Sequence, residues 1–564
     1  MAFSATLDEC GAIRPAATRT RVAGIRPRCG DPGKAGIEHA RRDAGLPGNI
    51  KLSVSFCDGL VPKLGSNHSH FTRSPAGVYL YEMIVARQPF RGADQGSMSA
   101  VQDQISWVLT SYIVASAIMM PLTGWLAGHF GVKYIFLASV VGFTIASALC
   151  GAATSLTQLV LYRVLQGVCS AGLVPLGQAT LFTIYPRERH GYAMAIFSTG
   201  AMMGPIIGPT LGGWLTDNFG WRWCFYINLP VGALCALSIF VFIRHSRTMR
   251  RDPFDGFGFA MLSLGVGSLQ LMLDRGQLKD WFDSTEIWIE ATVAGLCFYL
   301  LAVHTVTAGQ RSFLNRELLK SPNFVAGSVL MFGVGMILIG TLALLPSMMQ
   351  VLMNYPVFDA GWMMAPRGFG TMLAMFIVAR MINRVDNRLF ILIGFLLTAA
   401  SLWQMTGYSL YMGSGPILLA GFAQGFGLGC TFVPLNLLAL SGLPHHILTQ
   451  GTALRALMRM LGGSIGIAIL ETELSQNTQI VHSRLMEHLR PDNPLAQAPY
   501  LSAPFSLTDP SGIAALNHEV TRQAAMVAYN DDFALMLIVI LASLPLLLLV
   551  RHPRRQPVPA AADD

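Results

Sequence analysis

Hydrophobic residues come in long blocks from Ile105 onward, and polar residues are confined to the stretches between them. Thirteen apolar runs recur, over 105–127, 134–153, 157–180, 193–216, 223–243, 256–274, 287–307, 325–352, 359–382, 389–408, 415–439, 452–472 and 531–550. Each is near the ~20 residues that carry a helix across a bilayer core. Most connectors are short, as in a compact helical bundle. The pattern predicts an all-α polytopic membrane protein with about 13 transmembrane helices. One connector differs: 473–530 is polar, holds several prolines and is long enough for a small extramembrane lobe. Residues 1–94 also stand apart. Their longest apolar stretch, Val78 to Ala86, is interrupted by Glu82 and is too short to span. No apolar core with a cleavage site follows the start, so the segment does not read as a signal peptide. It is expected to be irregular.

Composition agrees. The chain of 564 residues is 52% hydrophobic and only 12% charged, against about 25% charged in an ordinary soluble domain. That little charge cannot cover a soluble protein of this size. The 56 glycines and 28 methionines suit helices packed closely in lipid. Of the net charge of +8, residues 1–100 supply 13 Lys and Arg against 8 Asp and Glu. Later Lys and Arg sort to alternate connectors: Arg187 and Arg189, then Arg244 to Arg251, then Arg311 to Lys320, then Arg380 to Arg388, then Arg551 to Arg555. The positive-inside rule places these connectors, and the tail 551–564, in the cytoplasm. The 473–530 connector then lies outside. The charge is thus membrane bias and not a nucleic-acid footprint.

Several motifs stand in order along the apolar region: Gly124-Trp-Leu-Ala-Gly-His-Phe-Gly131-Val-Lys133; Leu161-Tyr-Arg163-Val-Leu-Gln166-Gly167; Gly200-Ala-Met-Met-Gly204-Pro205-Ile-Ile-Gly208-Pro209-Thr-Leu-Gly212-Gly213; and Trp221 to Gly232. With Leu273-Asp274-Arg275-Gly276, Ala365-Pro366-Arg367-Gly368, Leu461 to Gly466 and Arg522-Gln523-Ala524, they resemble the major facilitator superfamily. Within it they are most similar to the fourteen-helix drug:proton antiporter branch, the EmrB/QacA type, over about 97–550.

The resemblance implies two helical halves, 95–244 and 311–550, with two extra helices over 245–310 and a substrate site at the midplane. It implies a multi-pass permease of the cytoplasmic (inner) membrane, not an enzyme. The implied activity is proton-coupled export of hydrophobic, often cationic, drug-like molecules. The proton motive force takes the place of a cofactor, and a periplasmic adaptor with an outer-membrane channel are candidate partners. The family's first helix, which carries an Asp, has no counterpart: Ile84 to Asp94 stands in its place. The thirteen runs therefore align with family helices 2 to 14, and residues 1–94 are expected to derive from a frameshift, rearrangement or wrong start. A truncated, inactive relic is the alternative reading.

Individual residues carry their own physics. Arg163 lies mid-run in an apolar helix, where an ionisable group costs several kcal/mol unless it faces a cavity or partner. The family's matching Arg acts in proton coupling, and the structural alternative is a guanidinium bonded to backbone carbonyls. Gln166 shares its face. The small residues Gly200, Gly204, Gly208, Gly212 and Gly213 allow two helices to approach, while Pro205 and Pro209 remove donors and bend the helix. Tight packing explains this pattern, and the resemblance adds an antiporter signature. Gly124, Gly131 and Lys133 match a cytoplasmic gating loop in which Gly128 replaces the family's acid. Gln178, Met119, Met202, Arg367, Gln424 and Arg459 complete the cavity candidates. Asp531 and Asp532 are expected at the start of the last helix, and Asp255 in a solvated junction. His445 and His446, adjacent in a connector, do not make a metal site. The nine cysteines show no metal-ligand spacing, and no phosphate loop or nucleophile elbow occurs.

Overall fold

The computed structural model describes residues 102–186, 189–243, 253–308, 312–382, 384–440, 443–444, 447–489, 505 and 509–549. The expectations for 1–94 and for the tail 551–564 lie outside the described residues. Among those described, every regular element is helical.

Thirteen long helical segments coincide with the thirteen apolar runs: α1 Gln102–Phe130, α2 Val132–Ala152, α3 Leu156–Ile184, α4 His190–Phe219, α5 Trp223–Phe242, α6 Gly256–Arg275, α7 Thr285–Thr307, α8 Pro322–Leu352, α9 Val357–Met381, α10 Asn387–Met405, α11 Ser414–Leu440, α12 Leu448–Glu487 and α13 Pro510–Leu549. Twelve helices are long and apolar enough to cross a bilayer among the described residues. The remaining run, 193–216, forms α4, whose 30 residues span about 45 Å at 1.5 Å per residue. Starts are marked by side-chain caps that satisfy orphan N–H groups. Ser155 accepts from Gln158 N, Ser321 from Phe324 N ahead of Pro322, and Asp386 from Arg388 N.

Among the described residues, the long polar connector is helical over 473–487 and 510–530. α12 runs on to Glu487 and α13 begins at Pro510, and His482 Nε2 meets Asn517 Oδ1 at 3.0 Å between them. At 40 residues, α12 is about 60 Å long, twice the ~30 Å hydrocarbon core. The extension carries an amphipathic pattern that a search for apolar runs passes over. For the same reason Asp531 and Asp532 do not start the last helix; they lie more than five turns inside it.

Two groups of helices pack together, α1 with α2, α3 and α5, and α8 with α9 to α13. α4 lies against α9, and α12 touches α1 and α3. α6 and α7 pair with each other, and α6 lies over the seam against α1 and α12. The helices approach closely enough that backbone meets backbone. A Cβ on Gly425 of α11 would sit 1.8 Å from Arg367 O of α9. A cluster of Met120, Leu262, Val266, Ala456 and Leu457 ties α1, α6 and α12, and half-buried Met119 packs against it.

Asp255 is a clasp and not a solvated junction. Its Oδ1 accepts from Gly258 N at 2.9 Å, capping α6. Its Oδ2 accepts from Phe313 N and meets His304 Nε2, both at 2.8 Å. One carboxylate thus joins the start of α6, the end of α7 and the approach to α8. Burial alone would push its carboxyl up; the two backbone N–H groups and His304 outweigh burial and hold it below the usual carboxylate range.

Two outcomes follow for the purified protein in detergent. Gly425→Ala is expected to lower stability by roughly 3 kcal/mol, because the obstacle is backbone. Gly128→Ala, whose Cβ meets nothing within 4 Å, is expected to stay within about 0.5 kcal/mol; thermal unfolding compares the two. Asp255→Asn is expected to cost about 1.5 kcal/mol near neutral pH. A depressed carboxyl stabilises the folded state above its unfolded pKa and loses that contribution as pH falls through the folded value. The gap between wild type and variant should therefore be constant above about pH 4 and close below it.

Candidate functional site

A cavity of about 290 Å³ lies between the two helix groups. Leu109, Tyr112 and Ile113 of α1, Phe197 of α4, Met331, Leu338 and Ile339 of α8 and Phe432 of α11 give it apolar walls. Its charged lining is Arg163 from α3 with Arg455 and Arg459 from α12. Among the described residues lining it there is no Asp, Glu, Lys or His.

Arg163 is buried at 7% exposure and held from several sides. Its Nε donates to Val108 O at 3.1 Å, and Nη1 donates to Gln166 Oε1 at 2.9 Å. The guanidinium stacks 4.7 Å from the Tyr112 ring centre and 5.7 Å from that of Phe225. Gln166 thus orients the arginine, and it also receives the Cys150 thiol at 3.8 Å. Arg163 lies two turns into α3, in its first third rather than at its middle.

Arg455 is set differently. It is 2% exposed, its Nη2 donates to Gln178 Oε1 at 2.6 Å, and Nε and Nη1 have no hydrogen-bond partner among the described residues. Arg459 follows one turn later on α12, so two guanidinium groups share one face. The sequence reading singled out Arg459 and Gln178 but passed over Arg455. Its signal was the four-residue spacing Arg455–Arg459 inside an apolar run.

Below Arg455 the two groups of helices meet. Thr452 Oγ1 donates to Pro175 O at 3.2 Å. A Cβ on Gly124 would touch Gln450 Cα at 3.0 Å, so a side chain there would need α12 to give way by a few tenths of an ångström. α4 and α9 meet where Thr199 Oγ1 faces Met375 Sδ at 3.7 Å. With the orientation expected from the connector charges, Thr452 and Gly124 lie on the cytoplasmic side of Arg455. Gly131 has φ of 92°, a glycine conformation between α1 and α2. Lys133 Nζ donates to Phe240 O at 2.8 Å, gripping the carbonyl end of α5, where a cation is favoured.

Other candidates lie elsewhere. Arg367, 4% exposed, stands behind the cavity wall, with Nη2 donating to Leu338 O at 3.3 Å and Nη1 unpartnered among the described residues. Gln424 is fully buried in α11, away from the cavity lining, with neither amide atom bonded. Met119 belongs to the α1–α6–α12 packing. In α4, Gly204 and Gly212 are buried and Gly200 and Gly208 half-buried. The side chains of Met202, Pro205 and Pro209, and the surroundings of Gly213, lie outside the described residues, as do His445 and His446. No group of three or more His, Cys, Asp or Glu placed to hold a metal occurs among the described residues.

Residues 92–467 match the Major Facilitator Superfamily. The chain is 35% identical over 441 residues to the multidrug export protein EmrB of Haemophilus influenzae, covering 78% of this chain and 86% of the relative. It is 32% identical over 462 residues to the fatty acid resistance protein FarB of Neisseria gonorrhoeae, covering 81% and 90%. The crystal structure of a human organic anion transporter superposes with a TM-score of 0.50 at 15% identity, covering 83% of this chain and 98% of that one, a likeness of fold. On the family match and the extent of these likenesses, the chain belongs to the Major Facilitator Superfamily, as a multi-pass membrane protein of the EmrB type.

Proposed function

We propose that the protein is a multidrug efflux permease of the inner membrane, exchanging protons for hydrophobic small molecules, and that acidic amphiphiles are its favoured class. The observation that carries the substrate class is Arg455, buried in the cavity with two donor nitrogens, Nε and Nη1, unbonded among the described residues. Unmade hydrogen bonds on a buried charge are costly, and a carboxylate supplies a bidentate partner for a guanidinium. Arg163 and Arg459 add positive charge to the same space. The apolar walls hold a hydrocarbon or aromatic body, as multidrug export requires, and the arginines disfavour a lipophilic cation. The names of the relatives agree, one a multidrug export protein and one a fatty acid resistance protein. The truncated-relic alternative finds no support in these likenesses.

A ligand seated between α3 and α12 would bear on both groups of helices at once. Its departure outward and proton entry would then bias the bundle between outward- and inward-facing arrangements. Arg163, anchored to Val108 and Gln166, is the positioned charge of the first group. The projecting pair formed by the ends of α12 and α13 is the surface on which a periplasmic adaptor would dock, leading to an outer-membrane channel.

In proteoliposomes with an imposed pH gradient, labelled laurate is expected to move faster than tetraphenylphosphonium at equal concentration; the reverse order would sink the acidic class. Arg455→Gln should raise the KM for laurate by about tenfold, the loss of one charge-assisted hydrogen bond. Arg163→Ala should abolish gradient-driven efflux while the protein still inserts, and unchanged efflux would refute its role.

A further inference from the structure

A proton-coupled exchanger needs a group that gains and loses a proton, and the cavity does not offer an obvious one. Its described ionisable lining is three arginines and Tyr112, and arginine stays charged at any physiological pH. One fully buried carboxylate exists among the described residues, Asp532 of α13, at 1% exposure. Neither of its oxygens has a hydrogen-bond partner there.

We infer that Asp532 is the residue that takes up the coupling proton, and that it does so from the external side. This rests on the proton-coupled reading above. With the orientation the connector charges imply, its neighbours on α13 contact the external end of the bundle. The neighbouring Asn530 donates from Nδ2 to Tyr408 O at 2.9 Å, in the turn between α10 and α11. Tyr529 donates from its hydroxyl to Ser347 Oγ at 3.2 Å, near the outer end of α8. Phe533 sets its ring edge against Tyr408, 5.9 Å between centroids.

The charges around Asp532 do not neutralise it. Glu473 from α12 and Asp531 on its own helix act on it, and both are acids. α8 contains no charged residue, and the single one of α10, Arg388, lies at the opposite end of that helix. Arg522, the nearest arginine along α13, is bound to Glu519 Oε2 and to Leu352 O. An ionised carboxylate buried without donor or cation is costly, and a proton removes that cost.

Protonation reaches the cavity through packing. α13 lies against α8 and α12, and a Cβ on Gly340 of α8 would meet both Leu470 of α12 and Met536 of α13. α8 and α12 are also cavity walls. Discharging Asp532 ends its repulsion with Glu473 and lets α12 and α13 close at their outer ends; releasing the proton drives them apart.

The test uses the full chain in proteoliposomes with labelled laurate. Two rates are taken, uptake driven by a pH gradient and gradient-free exchange of labelled for unlabelled laurate. The expected result is that Asp532→Asn lowers the ratio of driven to gradient-free rate at least tenfold, while Asp532→Glu keeps the wild-type ratio. If both rates fall together in Asp532→Asn, leaving the ratio unchanged, its role is structural and the inference is overturned; an unaltered variant overturns it equally. If the wild type itself shows no response to the gradient, the proton-coupled reading fails instead.

Discussion

The cost of burying a guanidinium inside an apolar helical bundle governs this molecule. Lipid offers no water to solvate the charge, so each buried arginine must find its partners within the protein. Three arginines meet that demand to different degrees. Arg163 is held by a backbone carbonyl, an amide oxygen and two aromatic rings. Arg367 reaches one carbonyl. Arg455 reaches one glutamine, with two donors left over among the described residues. The best satisfied arginine is fixed in place. The least satisfied one shares the cavity with Arg163 and is the one with donors left for a ligand to bind among the described residues.

The same economy of space shapes the contacts around the cavity. Gly425 lets α11 lie against the backbone of α9, and Gly124 lets α1 lie against α12. Such contacts have no flexible side chain between the two backbones. They favour rigid groups of helices that meet along defined lines, so that the bundle can rock without each helix deforming. α6 covers one such line by packing on α1 and α12 together. Asp255 then fixes the lower ends of the inserted pair to the chain that enters α8.

Most of the fold was legible because its signal is one-dimensional. Twenty apolar residues in a row specify a spanning helix whatever they pack against, and all thirteen runs became helices. The extension beyond α12 was not legible in the same way, since an amphipathic helix outside lipid mixes polar and apolar residues as a loop does. Asp532 follows from the same limit: an apolar run that begins at 531 puts it at a helix start, and only continuation from Pro510 places it inside. Arg163 and Gln166 were legible as a pair by spacing. Arg455 was not, because its burial and its unbonded donors depend on α3 and α12 coming together across nearly 280 positions of sequence. Asp255 was misread for a similar reason, as its partners lie 49 and 58 residues away.

The separation of charges bears on how exchange is organised. Where substrate and proton compete for one carboxylate, coupling needs no motion beyond their mutual exclusion. Here the described charges of the cavity are cationic, and the buried acid stands on a helix that the cavity lining does not include. With Asp532 as the inferred proton site, substrate and proton bind at separate groups, and the two binding events communicate through helices that both touch. α8 and α12 meet that condition, since they wall the cavity and pack against α13. Coupling of this kind is a difference in stability between two packings of the same helices. Its strength therefore depends as much on the close fit of Gly340, Leu470 and Met536 as on the charges themselves.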